Sequence, residues 1–253
     1  MIEFQNLCAG YDRTPVLSGI SLRIEPGTFT VILGPNGCGK STLLKSLVGL
    51  SDVYAGQILL EGRPLSDFSG AETAKRIAYL PQSRRVPDIT VQRLVLHGRF
   101  PHLRYPRKYR RQDLEIARAA MERVGIAQLA DQSLARLSGG TRQKVYIAMA
   151  LAQDTPVITL DEPTTYLDIG HQLQVMELCR ELARQGKAVA AVLHDLDLAM
   201  QYGDRMALLD RGHLVDQGSP EELYRSGNLQ RVFGVQMARV PTDHGPRYFC
   251  FPE

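Results

Sequence analysis

Gly34-Pro35-Asn36-Gly37-Cys38-Gly39-Lys40-Ser41-Thr42 has the spacing G-x-x-x-x-G-K-[ST] of a phosphate-binding loop. An apolar, β-branched stretch, Thr28 to Leu33, precedes it, and Ser41 to Val48 follows with apolar residues at helical spacing. The glycines let the backbone curl so that successive N–H groups face one anion, at a helix N-terminus that already favours negative charge. Lys40 adds a point charge for β- and γ-phosphates, and the Ser41 hydroxyl is a ligand for Mg²⁺. Gly34, Asn36, Gly37, Cys38, Gly39, Lys40, Ser41 and Thr42 are thus the expected contacts of a nucleoside triphosphate. Cys38, beside Lys40 and helix-terminal N–H groups, is expected to have a lowered pKa and a reactive thiol.

A second chemical group is Val157-Ile158-Thr159-Leu160-Asp161-Glu162-Pro163, an apolar strand ending in two carboxylates. Ligands of a parallel sheet gather at the carboxyl ends of its strands, so both acids belong beside the phosphates. Adjacent residues at a strand end point different ways. Asp161 is assigned to Mg²⁺ and Glu162 to orienting the water that attacks the γ-phosphate. A third group is Leu137-Ser138-Gly139-Gly140-Thr141, where Ser138 is an N-cap and the N–H groups of Gly139 and Gly140 make a second anion site. Alone, Ser-Gly-Gly is usually a cap or a turn. One phosphate loop with two anion sites suits a head-to-tail dimer, Ser138 of one copy facing the triphosphate of the other.

The elements that must hold these groups alternate along the chain. Ile2 to Leu7 and Val16 to Ile24 read as strands, followed by Thr28–Leu33, Gln57 to Gly62 and Ile77 to Leu80. From Gln82 to Gln153 the character is helical. Val91 to Gly98, Arg110 to Val124 and Gly140 to Gln153 are the segments, and the second has an apolar stripe of Leu114, Ala117, Met121 and Val124. Alternation resumes with strand Val157–Leu160, helix Ile169–Arg184, strand Ala188–Leu193, strands near Met206–Leu209 and His213–Asp216, and a helix over Pro220–Val232. Gln236 to Phe251 suits a hairpin with its turn at 241–246. The expected fold is α/β, a mostly parallel core with an antiparallel N-terminal β subdomain and an inserted helical one. Residues 1–81 and 154–253 would form the nucleotide-binding core and 82–153 the insertion, within a single domain spanning 1–253.

Composition excludes several classes. A hydrophobic content of 44% and a charged content of 23% over 253 residues suit a globular chain with a sizeable core. No run of 18 apolar residues offers a membrane span, and Met1 to Gln5 lack the pattern of a signal peptide. The chain is therefore expected in the cytoplasm unless a partner holds it at a membrane. Cys8, Cys38, Cys179 and Cys250 form no C-x-x-C pair, which points to reduced thiols rather than zinc. The basic run Arg99, Arg104, Arg107, Lys108, Arg110 and Arg111 is either a solvated face or a contact with a partner or lipid head groups. It is read as lacking the aromatic interleaving of a stacking platform, which argues against nucleic acid.

Taken in order, these motifs resemble the ATP-binding-cassette (ABC) ATPases over nearly the whole chain. The series is the phosphate loop, Gln82 after a strand, Leu137 to Gln143, Asp161-Glu162, Leu167-Asp168, and His194 after a strand. The resemblance implies that ATP and Mg²⁺ are bound and ATP hydrolysed. It implies that Tyr11 stacks on adenine, Gln82 senses the γ-phosphate and Mg²⁺, Asp168 bridges two subunits and His194 meets the γ-phosphate. Two segments depart from the commonest pattern. Thr141 stands where the signature usually has glutamine, which puts a ribose contact there in doubt, and Thr165-Tyr166-Leu167-Asp168 replaces Ser-Ala-Leu-Asp. Pro163 to Gln172 and His97 to His102 are instead similar to the subfamily powering uptake of iron–siderophore complexes, haem and cobalamin.

The function implied is the ATPase subunit of an importer for an iron chelate or related metal complex. It would sit peripherally on the cytoplasmic face of the inner membrane, engage permease subunits through the helical insertion, and work indirectly with a substrate-binding protein. The rival is a soluble cassette switch, as in iron–sulfur cluster assembly, against which the segment around Tyr166 counts. A nucleotide-binding protein without turnover would lack the carboxylate that Glu162 supplies.

Overall fold

The computed structural model describes residues 1–82, 86–243 and 245–252. Ile2–Tyr11 (β1) and Thr14–Ile24 (β2) are antiparallel partners that turn at Asp12 and Arg13, both in the left-handed region. Phe29–Leu33 (β3) is buried at every residue, as a central parallel strand must be, and leads through the phosphate loop into Lys40–Ser46 (α1). Asp52–Leu60 (β4) pairs with the other edge of β1 and Arg63–Pro64 (β5) with β4, giving an antiparallel sheet ordered β2-β1-β4-β5. Strand β4 begins five residues before the expected Gln57, because β1 offers partners as far as Gly10.

Gly70–Ala74 (α2), fixed by a capping box between Ser69 and Glu72, leads to Ile77–Leu80 (β6). Val91–His97 (α3), Arg111–Arg123 (α4) and Gly139–Ala152 (α5) then pack on one another. Val157–Asp161 (β7), Ile169–Arg184 (α6), Ala188–Val192 (β8), Leu196–Tyr202 (α7), Arg205–Asp210 (β9) and His213–Gly218 (β10) return to the core. The second sheet runs β10-β9-β3-β8-β7-β6 and is parallel apart from β10. Ile32, Ala190 and Val192 face β1, β2 and α1, whereas Val31, Leu33, Leu160 and Ala191 face the helices. Because β3, β8 and β7 are neighbours, the residues after their carboxyl ends converge. Those residues are Gly34, His194 and Glu162.

The expected helix over Pro220–Val232 is two helices, Pro220–Ser226 (α8) and Asn228–Phe233 (α9). Gly227 breaks it at φ +71, the left-handed C-cap that glycine adopts without steric cost. Val235–Val240 (β11) and Arg247–Pro252 (β12) form the C-terminal hairpin, packed on α7; His244 of its turn lies outside the described residues.

The stripe assigned to α4 needs correction. Leu114 is 43% exposed, whereas Asp113 is buried. Asp113 accepts from Arg99 Nε at 3.1 Å and from the Arg110 backbone N–H at 2.9 Å, and Arg99 also donates to the Ala152 carbonyl. Arg99 is therefore not part of the surface basic run; it is a buried tie between the end of α3, α4 and α5. A 3.6-residue period cannot register such a pair, because it looks like two solvent-facing charges.

Candidate nucleotide site

The phosphate loop is fixed by close packing. Gly34 has φ +147, and a Cβ there would lie 2.1 Å from the Leu209 carbonyl oxygen. Gly39 has φ +105, and its Cβ would meet the Leu17 side chain. Lys40 is 5% exposed and donates to the Gly34 and Pro35 carbonyls at 2.7 and 2.8 Å, bracing the turn that it closes. The loop borders an open cleft of about 430 Å³ lined by Asn36, Gly37, Gly39, Lys40, Ser41 and Thr42 on one side. Gln82, Glu162 and His194 line it opposite, and Val16 adds an apolar wall.

Glu162 is the most constrained group in the cleft. Its side chain is 10% exposed and its backbone lies in the left-handed region at φ 52. His194 Nε2 meets Oε1 at 2.5 Å. Gln82 Nε2 donates to Oε2 at 2.6 Å and the Thr165 hydroxyl to the same oxygen at 3.2 Å. A carboxylate gripped from three sides keeps one orientation, which is what positioning a water requires. Two of these three partners, Gln82 and His194, are sequence candidates; Thr165 was not assigned. Its signal was the hydroxyl in Thr165-Tyr166-Leu167-Asp168, three residues beyond Glu162.

Asp161 lies under the loop, 1% exposed. The Ser41 hydroxyl donates to its Oδ1 at 2.9 Å and the Tyr79 hydroxyl to Oδ2 at 3.3 Å. Burial pushes its pKa up, partly opposed by the Ser41 and Tyr79 hydrogen bonds. Tyr79, on the strand beside β7, was not anticipated. A buried carboxylate with a raised pKa favours a cation, and Ser41 with Asp161 offers the hard oxygen pair that Mg²⁺ accepts beside phosphate oxygens and water. Gln82 has its amide nitrogen on Glu162, so only its carbonyl oxygen is left for the metal role.

Cys38 corrects its expectation. The thiol is 4% exposed, a Cβ on Gly34 would lie 2.6 Å from its sulfur, and burial raises its pKa despite nearby Lys40. Tyr11 is half-buried outside the cleft lining; the Thr42 hydroxyl lies 3.5 Å from its hydroxyl, and Lys45 Nζ is 5.7 Å from its ring centroid.

The remaining candidates stand elsewhere. Ser138 caps α5, accepting from the Thr141 N–H at 3.2 Å, and its hydroxyl lies 2.9 Å from that of Thr141. Ser138, Gly139, Gly140 and Asp168 are all outside the cleft lining. Asp168 caps α6 and binds the backbone N–H and ring Nδ1 of His171, which hold its carboxyl below the usual range. Gln143 of α5 donates to the Pro163 carbonyl at 2.8 Å, linking Ser138's helix to the residue after Glu162. One chain therefore gathers Lys40, Ser41 and Glu162 at one cleft and presents the Ser138-capped end of α5 away from it.

Residues 17–165 match the family model described as ABC transporter. The chain belongs to that family. The cassette is 44% identical over 234 residues to the ferric enterobactin transport ATP-binding protein FepC of Escherichia coli, covering 92% of this chain and 86% of that one. The hemin import ATP-binding protein HmuV of Pseudomonas fluorescens is 40% identical, with 94% of each chain covered. Among solved structures, a transporter assigned to the metal-chelate type, in an inward-facing conformation, superposes with TM-score 0.84 at 27% identity, covering 99% of this chain and 97% of that one. A dimeric cassette bound to ADP and Pi after hydrolysis superposes with TM-score 0.76 at 27% identity, covering 87% and 99%. The cassette is accordingly an ATP-binding ATPase.

Proposed function

We propose that this cassette is the ATP-hydrolysing subunit of an importer for an iron–siderophore, haem or related metal complex. The observation carrying the ATPase assignment is the convergence of Gln82, Thr165 and His194 on Glu162 across the cleft from Lys40 and Ser41. Lys40 and the glycines hold the triphosphate, and Glu162 orients and polarises the water that attacks the γ-phosphorus as the bond to the leaving diphosphate breaks. His194 and Gln82 keep Glu162 in place and face the γ-phosphate. Ser41 and Asp161 would hold Mg²⁺, which would supply positive charge against the triphosphate.

Two copies close head to tail, Ser138 and Asp168 serving the partner's nucleotide, with Tyr11 and Val16 beside the base. Exposed Ser138 and the solved dimer of a relative support that arrangement. The membrane partner is a permease reached through the insertion, residues 82–153 of the single domain, with the 1–81 and 154–253 core beside it. Among the described residues no helix is long and apolar enough to cross a membrane, which fits peripheral attachment to the cytoplasmic face. An apolar groove of about 680 Å³ flanks the insertion, lined in part by Leu47, Leu50, Val53, Leu65 and Phe68, and suits a protein partner.

Relatives named for siderophores and for hemin support a metal-chelate cargo over the soluble switch. The test is co-expression with the permease of a siderophore or hemin importer, followed by fractionation and chelate uptake in proteoliposomes. The complex should sediment with membranes and import an iron chelate only with Mg-ATP. A chain that stays wholly soluble in that experiment overturns the transporter reading.

A further inference from the structure

The segment between α3 and α4 carries a surface that ATP hydrolysis does not use. Arg104, Arg107, Lys108, Arg110 and Arg111 are all exposed, and the segment from Phe100 to Gln112 contains no acidic residue. Asp113, the first acid after it, is buried on Arg99, and Glu115 pairs with Arg111 at 2.9 Å. Among the described residues here, four of the five exposed cations have no ion pair, a density that solubility does not require.

The segment is also aromatic. Tyr105 is 97% exposed and Phe100 48%, while Tyr109 is 38% exposed. The sequence reading that aromatics are not interleaved with these cations is corrected by their exposure here. Arg107 lies over the Phe100 ring, 4.5 Å from its centroid, so that ring's face is covered by a charge. A single-stranded nucleic acid needs successive open ring faces for its bases. An interface of head groups needs exposed cations with amphipathic rings among them, and the segment presents both.

We propose that residues 100–111 form a docking surface for an anionic lipid bilayer, with Arg104, Arg107, Lys108 and Arg110 on phosphate head groups and Tyr105 entering the interfacial layer. The surface acts without the permease and does not depend on the identity of the cargo.

The test uses the purified full-length chain and sedimentation with vesicles of phosphatidylcholine, alone or with one part in three of phosphatidylglycerol. The chain should pellet with the anionic vesicles, not with the neutral ones, and be released near 0.5 M salt, where the Debye length falls to about 4 Å. Arg107→Glu with Lys108→Glu should weaken partitioning at least about tenfold. Tyr105→Ser should weaken it a few-fold at unchanged charge. Reversing Arg184 and Arg225, exposed at other places, makes the same change in net charge and should leave binding near wild type. All these variants should retain basal ATPase activity, which verifies folding.

Equal loss in the Arg184/Arg225 control, or no preference for anionic vesicles, overturns the proposal. So does tight binding of a single-stranded oligonucleotide through the same residues by a chain that ignores vesicles. Because no permease is present, failure here leaves the importer reading intact. Loss of Mg-ATP-dependent chelate uptake in the co-expression experiment would likewise leave this surface standing, whereas a chain absent from the membrane fraction would count against both.

Discussion

Glu162 and Ser138 stand 24 residues apart in sequence and are held in opposite ways. The Glu162 side chain is 10% exposed and gripped by Gln82, Thr165 and His194 from its own chain. Ser138 is exposed and spends its hydroxyl on its own helix cap and on Thr141. The cleft around Glu162 is pre-organised within one chain, and in the proposed hydrolysis such rigid dipoles cost little at the moment of reaction. The signature half is a correctly folded helix end whose remaining capacity points outward. Under the proposed head-to-tail dimer, assembly, rather than side-chain rearrangement around Glu162, is the step that completes the cassette.

The largest expected effect comes from removing the charge at the centre of the constrained region. Glu162→Gln keeps the shape but cannot polarise water as a carboxylate does, so turnover should fall about a thousandfold while ATP binding persists. The ATP-bound dimer should accumulate on size-exclusion chromatography with Mg-ATP. A variant turning over near the wild-type rate would remove Glu162 from the role and dissolve the contrast.

The exposed region gives the next effect. Ser138→Arg and Lys40→Ala should each lose at least about a hundredfold in hydrolysis, as loss of a transition-state donor does elsewhere. Mixed, they form heterodimers in which one composite site has both its Lys40 and its Ser138. Part of the activity should return in the mixture. No recovery, with heterodimers shown to form, would place Ser138 outside the partner's site.

Most of this architecture was legible in the sequence because its chemistry is local. A phosphate loop, a strand ending in Asp161-Glu162 and a capped helix at Ser138 each need only neighbouring residues. What was missed depends on contacts across the chain. Tyr79 reaches Asp161 only because β6 lies beside β7, and Arg99 finds Asp113 only because the end of α3 packs on α4. The break at Gly227 was visible as a residue type but not as a need, since a helical pattern continued on both sides. Leu114 fits the apolar spacing yet faces solvent, because Asp113 beside it is paired with Arg99 and takes the buried position.

The Arg99–Asp113 pair sharpens the comparison from a third place, since it braces the insertion that presents Ser138. Asp113→Asn leaves a buried guanidinium short of its counter-charge and should cost about 3 kcal/mol, lowering Tm by roughly 8 °C. Burial alone would raise the Asp113 pKa, but the Arg110 N–H and Arg99 outweigh it and hold the carboxyl below its ordinary value. A depressed folded pKa adds stability above the unfolded value, about 4, and loses it as pH falls through the folded value. The gap between wild type and Asp113→Asn should therefore be constant near neutrality and close below about pH 4. A gap that widens on acidification would mean that Asp113 is not held as an anion.

The smallest effect tests how closed the phosphate side is. Cys38 has the local sequence of an activated thiol, within a loop that ends in Lys40. Geometry outweighs that signal. Burial is the leading influence on the thiol and raises its pKa, and the Lys40 ammonium that would lower it is engaged with the Gly34 and Pro35 carbonyls. The thiolate is the nucleophile, so a buried thiol of raised pKa reacts slowly. Cys179 is wholly buried with a pKa pushed up to about 12, and Cys250 is raised to about 11, which leaves half-buried Cys8 as the first site of alkylation at neutral pH. Peptide mapping over a time course with N-ethylmaleimide should find Cys8 modified well before Cys38, with ATPase activity surviving that first phase. Cys38→Ala should remain active, because the loop's conformation rests on Gly34 and Gly39 rather than on sulfur. Labelling of Cys38 as fast as Cys8 would show that the loop opens readily, and the pre-organised half of the cleft would then be as dependent on assembly as the half around Ser138.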